Sequence, residues 1–301
     1  MRIGMIGLGK MGSKISEKLL LTGHQVLGYD TNKTLLKPII DNGGVIADDF
    51  NVFVDTLNKL KIPVIWLMVP AGDITKNIII ELSSKLKPGS IVIDGGNSNY
   101  RDTMENYKIL KEKDIHLLDV GTSGGIWGFE RGFCFMAGGD IEPYNFISPV
   151  LKDLAAQGGY NYMGPSGSGH FVKMVHNGIE YALMEAYGEG FHLLENSKDY
   201  SLNLENIANL WQNGSIIESF LLGLTGNMFK KDPHLENIVG YVEDSGEGRW
   251  TVETSIDQRT PAPVITIALM ERFRSRIKDS FKDKVIAGLR KEFGGHNVKR
   301  K

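Results

Sequence analysis

The sequence predicts an α/β N-terminal domain, a Rossmann-type doubly wound sheet, followed by an all-α C-terminal domain. Residues 1–165 alternate short apolar runs with amphipathic stretches, which is typical of buried parallel strands separated by helices. A Gly- and Ser-rich segment at 164–169 then interrupts the chain. Beyond it the sequence has helical periodicity and no comparable strand run. We therefore expect two domains, residues 1–165 and 166–301.

The predicted strands are short apolar runs that mostly end in turn-forming residues. They lie at 3–7, 25–29, 64–69, 91–94 and 116–120. The first helix is expected from Met11 to Leu21 and the longest from His170 to Asn196, a stretch without proline. Further helices are expected at 203–213, 216–229, 261–278 and 281–293. Ligands of such sheets bind at the carboxyl ends of the strands, so functional residues are expected there.

The composition is that of an ordinary globular protein with an excess of glycine. The chain has 301 residues, of which 36 are glycine, and this abundance indicates tight turns or close approach of backbone to a ligand. The net charge of −2 gives no overall field that would attract nucleic acid or an anionic membrane. No stretch is apolar enough to cross a bilayer and no signal peptide precedes the first strand. We expect a cytoplasmic protein that binds neither nucleic acid nor a membrane.

The single cysteine, Cys134, cannot form an internal disulfide or a thiolate metal site, and no metal is expected. It lies between Phe133 and Phe135. This setting predicts a buried structural thiol rather than a reactive one.

The segment Gly7-Leu8-Gly9-Lys10-Met11-Gly12 has the G-x-G-x-x-G spacing of a dinucleotide site. It follows the first predicted strand and opens the first predicted helix, where glycine lets a pyrophosphate approach the free N–H groups of the helix. A plain strand-to-helix turn is the alternative. The residues expected to contact the cofactor are Gly7, Leu8, Gly9, Met11, Gly12, Asp30, Val69 and Asn97.

Asp30 ends the second predicted strand, 18 residues after Gly12. A carboxylate there accepts hydrogen bonds from the ribose hydroxyls and repels a 2′-phosphate, which predicts NAD rather than NADP. Lys33 is a cation that could reach a 2′-phosphate, and an ordinary turn aspartate is the alternative to a binding residue.

Four polar residues share one face of the longest predicted helix. Lys173, His176, Asn177 and Glu180 are offset by 0, 3, 4 and 7 residues, so they lie within about 100° of one another, with Tyr181 at the edge. A solvated helix face is the alternative. Apolar neighbours argue against it and predict a helix with little free surface; they are Phe171, Met174, Val175, Ile179, Ala182 and Leu183.

Two loops at predicted strand ends carry groups that can bind a carboxylate or hydroxyls. They are Asp94-Gly95-Gly96-Asn97-Ser98 and Gly121-Thr122-Ser123-Gly124-Gly125. Backbone amides freed by glycine, together with the Asn97 and Ser123 side chains, would supply the contacts. For either loop alone, a simple turn is an equally good interpretation.

Taken together, these motifs resemble decarboxylating 6-phosphogluconate dehydrogenase of the short, NAD-type form, within the β-hydroxyacid dehydrogenase superfamily. The most specific run is Gly169-His170-Phe171-Val172-Lys173-Met174-Val175-His176-Asn177-Gly178-Ile179-Glu180-Tyr181. The resemblance spans nearly the whole chain, including Gly248-Arg249-Trp250-Thr251 and the tail from Arg290 to His296. It implies a dinucleotide-binding domain and a helical substrate and oligomerisation domain.

The resemblance also implies the chemistry. Lys173 takes the proton of the C3 hydroxyl of 6-phosphogluconate during hydride transfer, and Glu180 protonates C1 of the enediol left by loss of carbon dioxide, giving ribulose 5-phosphate in the pentose phosphate pathway. The sugar acid would be held by Asn97, Ser123, Gly124, Gly125, His176 and Asn177, and its phosphate by Tyr181 and Arg272. Without the resemblance, Arg272 is one of several charges at 271–276, and a solvated face is favoured.

In this family the tail arginine and histidine enter the active site of a partner subunit. Arg290 and His296 fit that spacing, which implies a homodimer or homotetramer with shared sites. A disordered basic terminus is the alternative.

The chain departs from the usual family pattern at several points. It lacks the second helical half of the longer enzymes, so its dimer must exchange helices. Ile126 and Trp127 stand where the family has two glutamates, and Ser245 replaces a phosphate-binding lysine. Asp30-Thr31-Asn32 replaces the Asn-Arg-Thr of the NADP-using enzymes, which agrees with NAD.

Two other functions remain open at this point. One is another β-hydroxyacid dehydrogenase, such as 3-hydroxyisobutyrate dehydrogenase, and Glu180 discriminates because simple oxidation leaves no carbanion to protonate. The other is a non-catalytic NAD-sensing protein, which would not depend on Lys173.

Overall fold

A computed structural model describes residues 1–300; Lys301, the last residue of the predicted second domain, lies outside this range. The N-terminal part contains one eight-stranded sheet with the order β3-β2-β1-β4-β5-β6-β7-β8. The strands are β1 (Arg2–Ile6), β2 (Gln25–Tyr29), β3 (Val45–Ile46), β4 (Val64–Leu67), β5 (Ile91–Asp94), β6 (His116–Ser123), β7 (Phe133–Gly139) and β8 (Ala155–Gly164).

The first six strands form a parallel sheet in the order of dinucleotide-binding folds. Strand β1 pairs with β2 on one side and β4 on the other, so the strand order reverses beside β1. Strand β7 runs antiparallel to β6, and β8 runs parallel to β7. The predicted doubly wound architecture is confirmed, with one antiparallel pairing added.

Helices connect these strands, and both faces of the sheet are covered by apolar clusters. The helices are α1 (Lys10–Leu21), α2 (Lys37–Asp41), α3 (Phe50–Asn58), α4 (Asp73–Lys85), α5 (Tyr100–Lys111), α6 (Gly128–Arg131) and α7 (Ile141–Leu154). Several begin at a residue whose side chain accepts the first free N–H groups, as Asp49 does for α3 and Asn99 for α5.

The remaining chain is helical, as predicted. It contains α8 (Ser168–Glu195), α9 (Leu204–Trp211), α10 (Phe220–Lys231), α11 (Glu247–Asp257), α12 (Pro263–Ser275) and α13 (Phe281–Gly294). The chain divides into two compact units within α8, Met1–His176 and the part from Asn177 onward. We call them the sheet unit and the helical unit. No helix of residues 1–300 is long and apolar enough to span a membrane.

Two expectations about these elements were wrong, and one helix was not predicted. Cys134 is exposed, not buried, because alternate residues of a strand face opposite sides and it is Phe133 and Phe135 that enter the core. Residues 216–219 precede α10 instead of belonging to it, since the Ser219 side chain caps the helix. Helix α11 was not expected, because its polar sequence lacks a clear apolar face.

Helix α8 also has more free surface than predicted. Ile179 and Leu183 are exposed, at 50% and 44%, whereas Lys173 is 5% exposed. Helical periodicity identifies residues that share a face but not what covers that face, and here a single copy of the chain leaves these two apolar residues uncovered.

Candidate active site

The glycine-rich loop lies where the strand order reverses. Gly7 has a φ of +90°, and a Cβ there would collide with the carbonyl oxygen of Met68 and approach Val69 Cγ1 to 2.9 Å. Only glycine therefore lets the loop after β1 pass the loop after β4. This contact also brings Val69 beside the predicted cofactor-binding glycines.

Gly9 caps α1 without a side-chain hydrogen bond, and a Cβ at this position would meet nothing within 4 Å. The surface in front of the first turn of α1 is thus open, and its backbone N–H groups can receive a pyrophosphate. Gly12 packs against the Gly7 carbonyl within the turn. The loop fits a dinucleotide, with Leu8 buried beneath it and Met11 partly exposed on α1.

Asp30 follows β2 and hydrogen-bonds to the glycine-rich loop. Its Oδ2 accepts the Leu8 N–H at 2.7 Å and its Oδ1 accepts the Asn32 N–H at 2.7 Å. Lys33 donates to the Asp48 carbonyl at 2.7 Å. The carboxylate therefore lies next to the glycine loop, while the nearby cation has a partner of its own.

The loop after β5 is organised by a buried carboxylate. Asp94 accepts the Gly96 N–H at 3.0 Å and the Ser98 hydroxyl at 2.7 Å. Asn97 has a φ of +52°, a left-handed conformation that non-glycine residues seldom adopt, and its Oδ1 accepts the Thr122 N–H at 3.2 Å. This bond joins the two predicted binding loops, because Thr122 belongs to β6.

Lys173 is buried against the carboxyl-terminal half of β6. A Cβ on Gly121 would collide with the Lys173 side chain, so glycine at this position makes the room that the lysine occupies. Lys173 Nζ lies 3.5 Å from His176 Nδ1, and His176 Nε2 lies 3.3 Å from Ser123 Oγ. The sheet unit thus brings together three of the predicted site residues in one chain of polar contacts.

The turn after β6 depends on glycine. Gly124 has a φ of +113° and Gly125 a φ of +52°, and a short 3-10 turn, Gly125–Trp127, follows. Ile126 and Trp127 are exposed. Because Gly124 and Gly125 carry no side chains, the backbone of this turn is accessible next to Ser123.

In the helical unit, Tyr181 and Arg272 lie together. The Arg272 guanidinium carbon is 3.4 Å from the centroid of the buried Tyr181 ring, a cation–π arrangement, and one guanidinium nitrogen donates to the Glu243 carbonyl at 2.8 Å. The Tyr181 hydroxyl accepts the Ser245 N–H at 3.3 Å. Arg272 is therefore held in place, unlike a residue of a solvated face.

Two further arginines anchor the loop that contains Glu243 and Ser245. Arg249 and Arg276 both donate to Asp244, with shortest distances of 2.6 Å. These hydrogen bonds lower the pKa of the Asp244 carboxyl from 3.8 to about 2. Ser245 donates its hydroxyl to Glu247, the first residue of α11.

The remaining predicted residues occupy two places. Asn177 and Glu180 are partly exposed on α8, and the continuity of that helix puts Glu180 two turns after Lys173. Arg290 is exposed near the end of α13, and His296 is exposed just after it. The His296 N–H donates to the Arg290 carbonyl at 3.5 Å.

Two residues shape the lysine environment in roles that were not predicted: Gly121, which belongs to a predicted binding loop, acts as a spacer, and Asp119 acts as an anchor. Asp119 is fully buried in β6 and accepts the N–H groups of Gly167 and His170 at 2.8 and 2.9 Å. The available signal was an acidic residue inside an apolar strand run, which predicts a buried partner but does not say which one.

A dinucleotide fold with a buried lysine beside the carboxyl end of a strand defines an oxidoreductase of the hydroxyacid dehydrogenase superfamily. Residues 2–164 match the NAD binding domain of 6-phosphogluconate dehydrogenase, and residues 169–300 match the 6-phosphogluconate dehydrogenase C-terminal domain. The chain belongs to the 6-phosphogluconate dehydrogenase family.

Relatives of the same length and longer ones support this membership. A Bacillus subtilis protein provisionally named as a 6-phosphogluconate dehydrogenase is 45% identical, with 100% of both chains covered. An NAD(+)-dependent, decarboxylating 6-phosphogluconate dehydrogenase of Haloferax volcanii is 41% identical, with 100% of this chain and 99% of that protein covered. The solved Plasmodium falciparum 6-phosphogluconate dehydrogenase matches with a TM-score of 0.83 and 28% identity, over 100% of this chain and 66% of its own.

Proposed function

We propose that this protein catalyses the NAD-dependent oxidative decarboxylation of 6-phosphogluconate to ribulose 5-phosphate and carbon dioxide. The observation that carries the proposal is the buried amine of Lys173, held 3.5 Å from His176 beside the strand that ends in Ser123. This arrangement supplies a base for a hydroxyl proton in a place that excludes most water.

The glycine loop and Asp30 would hold the cofactor. The pyrophosphate would lie at Gly9 and the first turn of α1, and the Asp30 carboxylate would accept hydrogen bonds from the adenosine ribose. When bound, NAD accepts the hydride that leaves C3 of the substrate. A carboxylate next to the loop disfavours a 2′-phosphate, so NAD is the preferred cofactor and NADP the weaker one.

Lys173 would act twice. Its neutral amine accepts the proton of the C3 hydroxyl as the C3–H bond breaks, which leaves a keto group at C3 and a carboxylate at C1. The resulting ammonium then donates a hydrogen bond to the C3 oxygen and stabilises the negative charge that develops there as carbon dioxide leaves. His176, in contact with Nζ, keeps the amine oriented.

Glu180 would complete the reaction on the face of α8 that carries Lys173. The enediol formed by decarboxylation needs a proton at the carbon that lost carbon dioxide, and a carboxylic acid two helical turns from the lysine can supply it. This role separates the proposal from a simple β-hydroxyacid dehydrogenase such as 3-hydroxyisobutyrate dehydrogenase, which has no carbanion to protonate.

The substrate would be held by loops and helix faces already described. Asn97, Ser123 and the Gly124–Gly125 backbone offer hydrogen bonds to the carboxylate and hydroxyls, together with His176 and Asn177. The phosphate would be bound by Arg272 and Tyr181, because the guanidinium is fixed over the ring and the phenol, which already accepts the Ser245 N–H, can donate its own hydrogen.

We also propose a homodimer or homotetramer in which subunits share active sites. The α13 residues Phe281, Val285, Leu289 and Phe293 form an exposed apolar stripe, with exposures from 43% to 78%. Together with the exposed Ile179 and Leu183, these side chains are suited to burial against a second copy. Arg290 lies in the last turns of this helix and His296 just after it, so docking of the helix would carry both into the partner's site.

A single assay tests the reaction. The purified protein is incubated with 6-phosphogluconate and NAD, and reduced nicotinamide and released carbon dioxide are measured together. We expect the two products in equal amounts, and a higher kcat/KM with NAD than with NADP. Reduced nicotinamide without carbon dioxide, or turnover only with 3-hydroxyisobutyrate, would contradict the proposal.

A further inference from the structure

Asp119 anchors the first turn of the helix that carries the lysine, and this inference rests on the proposed role of Lys173. The carboxylate is fully buried in β6. Its Oδ1 accepts the Gly167 N–H at 2.8 Å and its Oδ2 accepts the His170 N–H at 2.9 Å. The N–H groups at the start of α8 have no acceptor within the helix, so a strand residue satisfies two of them and places a negative charge at the positive end of the helix dipole.

The contact continues along both elements in register. Asp119, Gly121 and Ser123 are alternate residues of β6 and therefore face the same side. Their partners on α8 are the first turn, then Lys173, then His176, which follow one another at three-residue steps on one helix face. Asp119 thus fixes the start of α8 against β6, and this determines where Lys173 and His176 lie along the strand.

Backbone packs closely around Asp119. A Cβ on Gly169 would collide with the carbonyl oxygens of Asp119 and Met136, and a Cβ on Gly138 would come within 2.8 Å of Asp119 Oδ1. The backbone of Gly169 therefore packs against the main chain of Asp119, and the backbone of Gly138 packs against its carboxylate. A longer acidic side chain would not fit, and a neutral amide would present a donor where an N–H needs an acceptor.

We propose that Asp119 is a positioning residue for the reaction. It does not touch substrate or cofactor; it fixes the first turn of α8 against β6 so that the Lys173 amine meets the C3 hydroxyl. Displacement of a reacting group by about 1 Å can cost on the order of 100-fold in rate. The proposal therefore concerns the chemical step and not only the stability of the fold.

The test compares Asp119→Asn with the wild type, using 6-phosphogluconate with hydrogen or deuterium at C3. We expect kcat to fall at least tenfold, the KM for NAD to stay within twofold, and the deuterium isotope effect on kcat to rise, because proton and hydride transfer become slower than product release. Titration with NADH gives the fraction of folded sites. If Asp119→Asn does not accumulate as folded protein, Asp119→Ser, which is smaller and keeps one acceptor, is measured with the same expectation.

The control is Ser90→Ala. Ser90 is fully buried just before β5 and donates to the Lys87 carbonyl at 2.6 Å, so its loss perturbs the sheet unit at the opposite end of the strands. It should leave the isotope effect unchanged. An unchanged isotope effect in the Asp119 variants, with kcat reduced only in proportion to folded sites, overturns the inference. Absence of turnover in the wild type instead overturns the proposed function.

Discussion

The sheet unit buries large apolar side chains on both faces of its sheet, whereas the helical unit contains two small buried clusters. The helical unit also leaves many large apolar side chains exposed; examples are Ile216, Val239, Ile256, Val264, Phe281 and Phe293. A layered α/β sheet can complete its core within one chain. Helices of modest length joined by loops do not do so here, and the proposed homo-oligomer would bury their exposed apolar surface.

The difference also separates the two sets of functional residues. In the sheet unit, Asp30, Asp94 and Asp119 each accept backbone N–H groups of the loop or helix they position. In the helical unit the candidate phosphate ligands, Arg272 and Tyr181, instead contact each other, with the guanidinium over the ring. The first set is expected to work within one chain, and the second to depend on assembly.

The largest effect is expected from Lys173→Met, which removes the proposed base from the sheet unit. General base catalysis contributes about 10²- to 10⁴-fold, so kcat should fall by roughly 10³-fold. Steady-state kinetics measure this loss, and fluorescence titration should show NADH binding within twofold of wild type. Lys198→Met, an exposed lysine after α8, is the matched control and should retain full activity. Retained turnover in Lys173→Met would contradict the role of Lys173 as the base, whereas NADH binding without turnover in both wild type and variant would favour the NAD-sensing alternative.

The next effect tests the incomplete core of the helical unit. Leu289→Glu puts a carboxylate in the middle of the exposed stripe of α13. An unpaired charge buried in an interface costs several kcal/mol, so the dissociation constant of the oligomer should rise by about 100-fold or more. Analytical ultracentrifugation measures the change, and specific activity should fall with the oligomer while NADH binding persists.

Lys291→Glu is the control for this variant. Lys291 lies in the same last turns of α13 but on the opposite side from the apolar stripe. It should leave the sedimentation coefficient unchanged. A fully active monomer of Leu289→Glu would contradict both the shared site and the role assigned to Arg290 and His296.

A smaller effect is expected at Asp30, the residue proposed to select the cofactor. Asp30→Asn keeps one acceptor for a backbone N–H but removes the charge that interacts with the ribose. Loss of a hydrogen bond to a charged group predicts a decrease in kcat/KM for NAD of about 10- to 100-fold, with a smaller decrease or an increase for NADP. The comparison is made with Asp49→Asn, since Asp49 also accepts backbone N–H groups but caps α3. An equal loss with both cofactors would show that Asp30 only supports the loop.

The same contrast explains how far the sequence could be read. The strands and α8 were predictable because apolar runs and helical periodicity are local signals. The surroundings of Cys134 and Ile179 were not, because exposure depends on which neighbouring element covers a face. Lys173 could be singled out from its spacing to Glu180, but Asp119 could not, since its two partners lie 48 and 51 residues away along the chain.

The smallest effect concerns charge in the helical unit. Asp244 has a side chain only 3% exposed between Arg249 and Arg276, and its pKa is lowered from 3.8 to about 2. A carboxyl with a lower pKa in the folded state stabilises the fold above the unfolded pKa, and this contribution disappears as the pH falls through the folded value. Solvent around Arg249 weakens the ion pair, so the carboxylate contributes about 1–2 kcal/mol to the free energy of unfolding. The free energy of unfolding in urea should therefore differ between wild type and Asp244→Asn at pH 7, and the difference should shrink between pH 4 and pH 2. A difference that stays constant down to pH 2 would show that the carboxylate contributes through packing rather than charge, and that the helical unit does not use this ion pair to offset its small core.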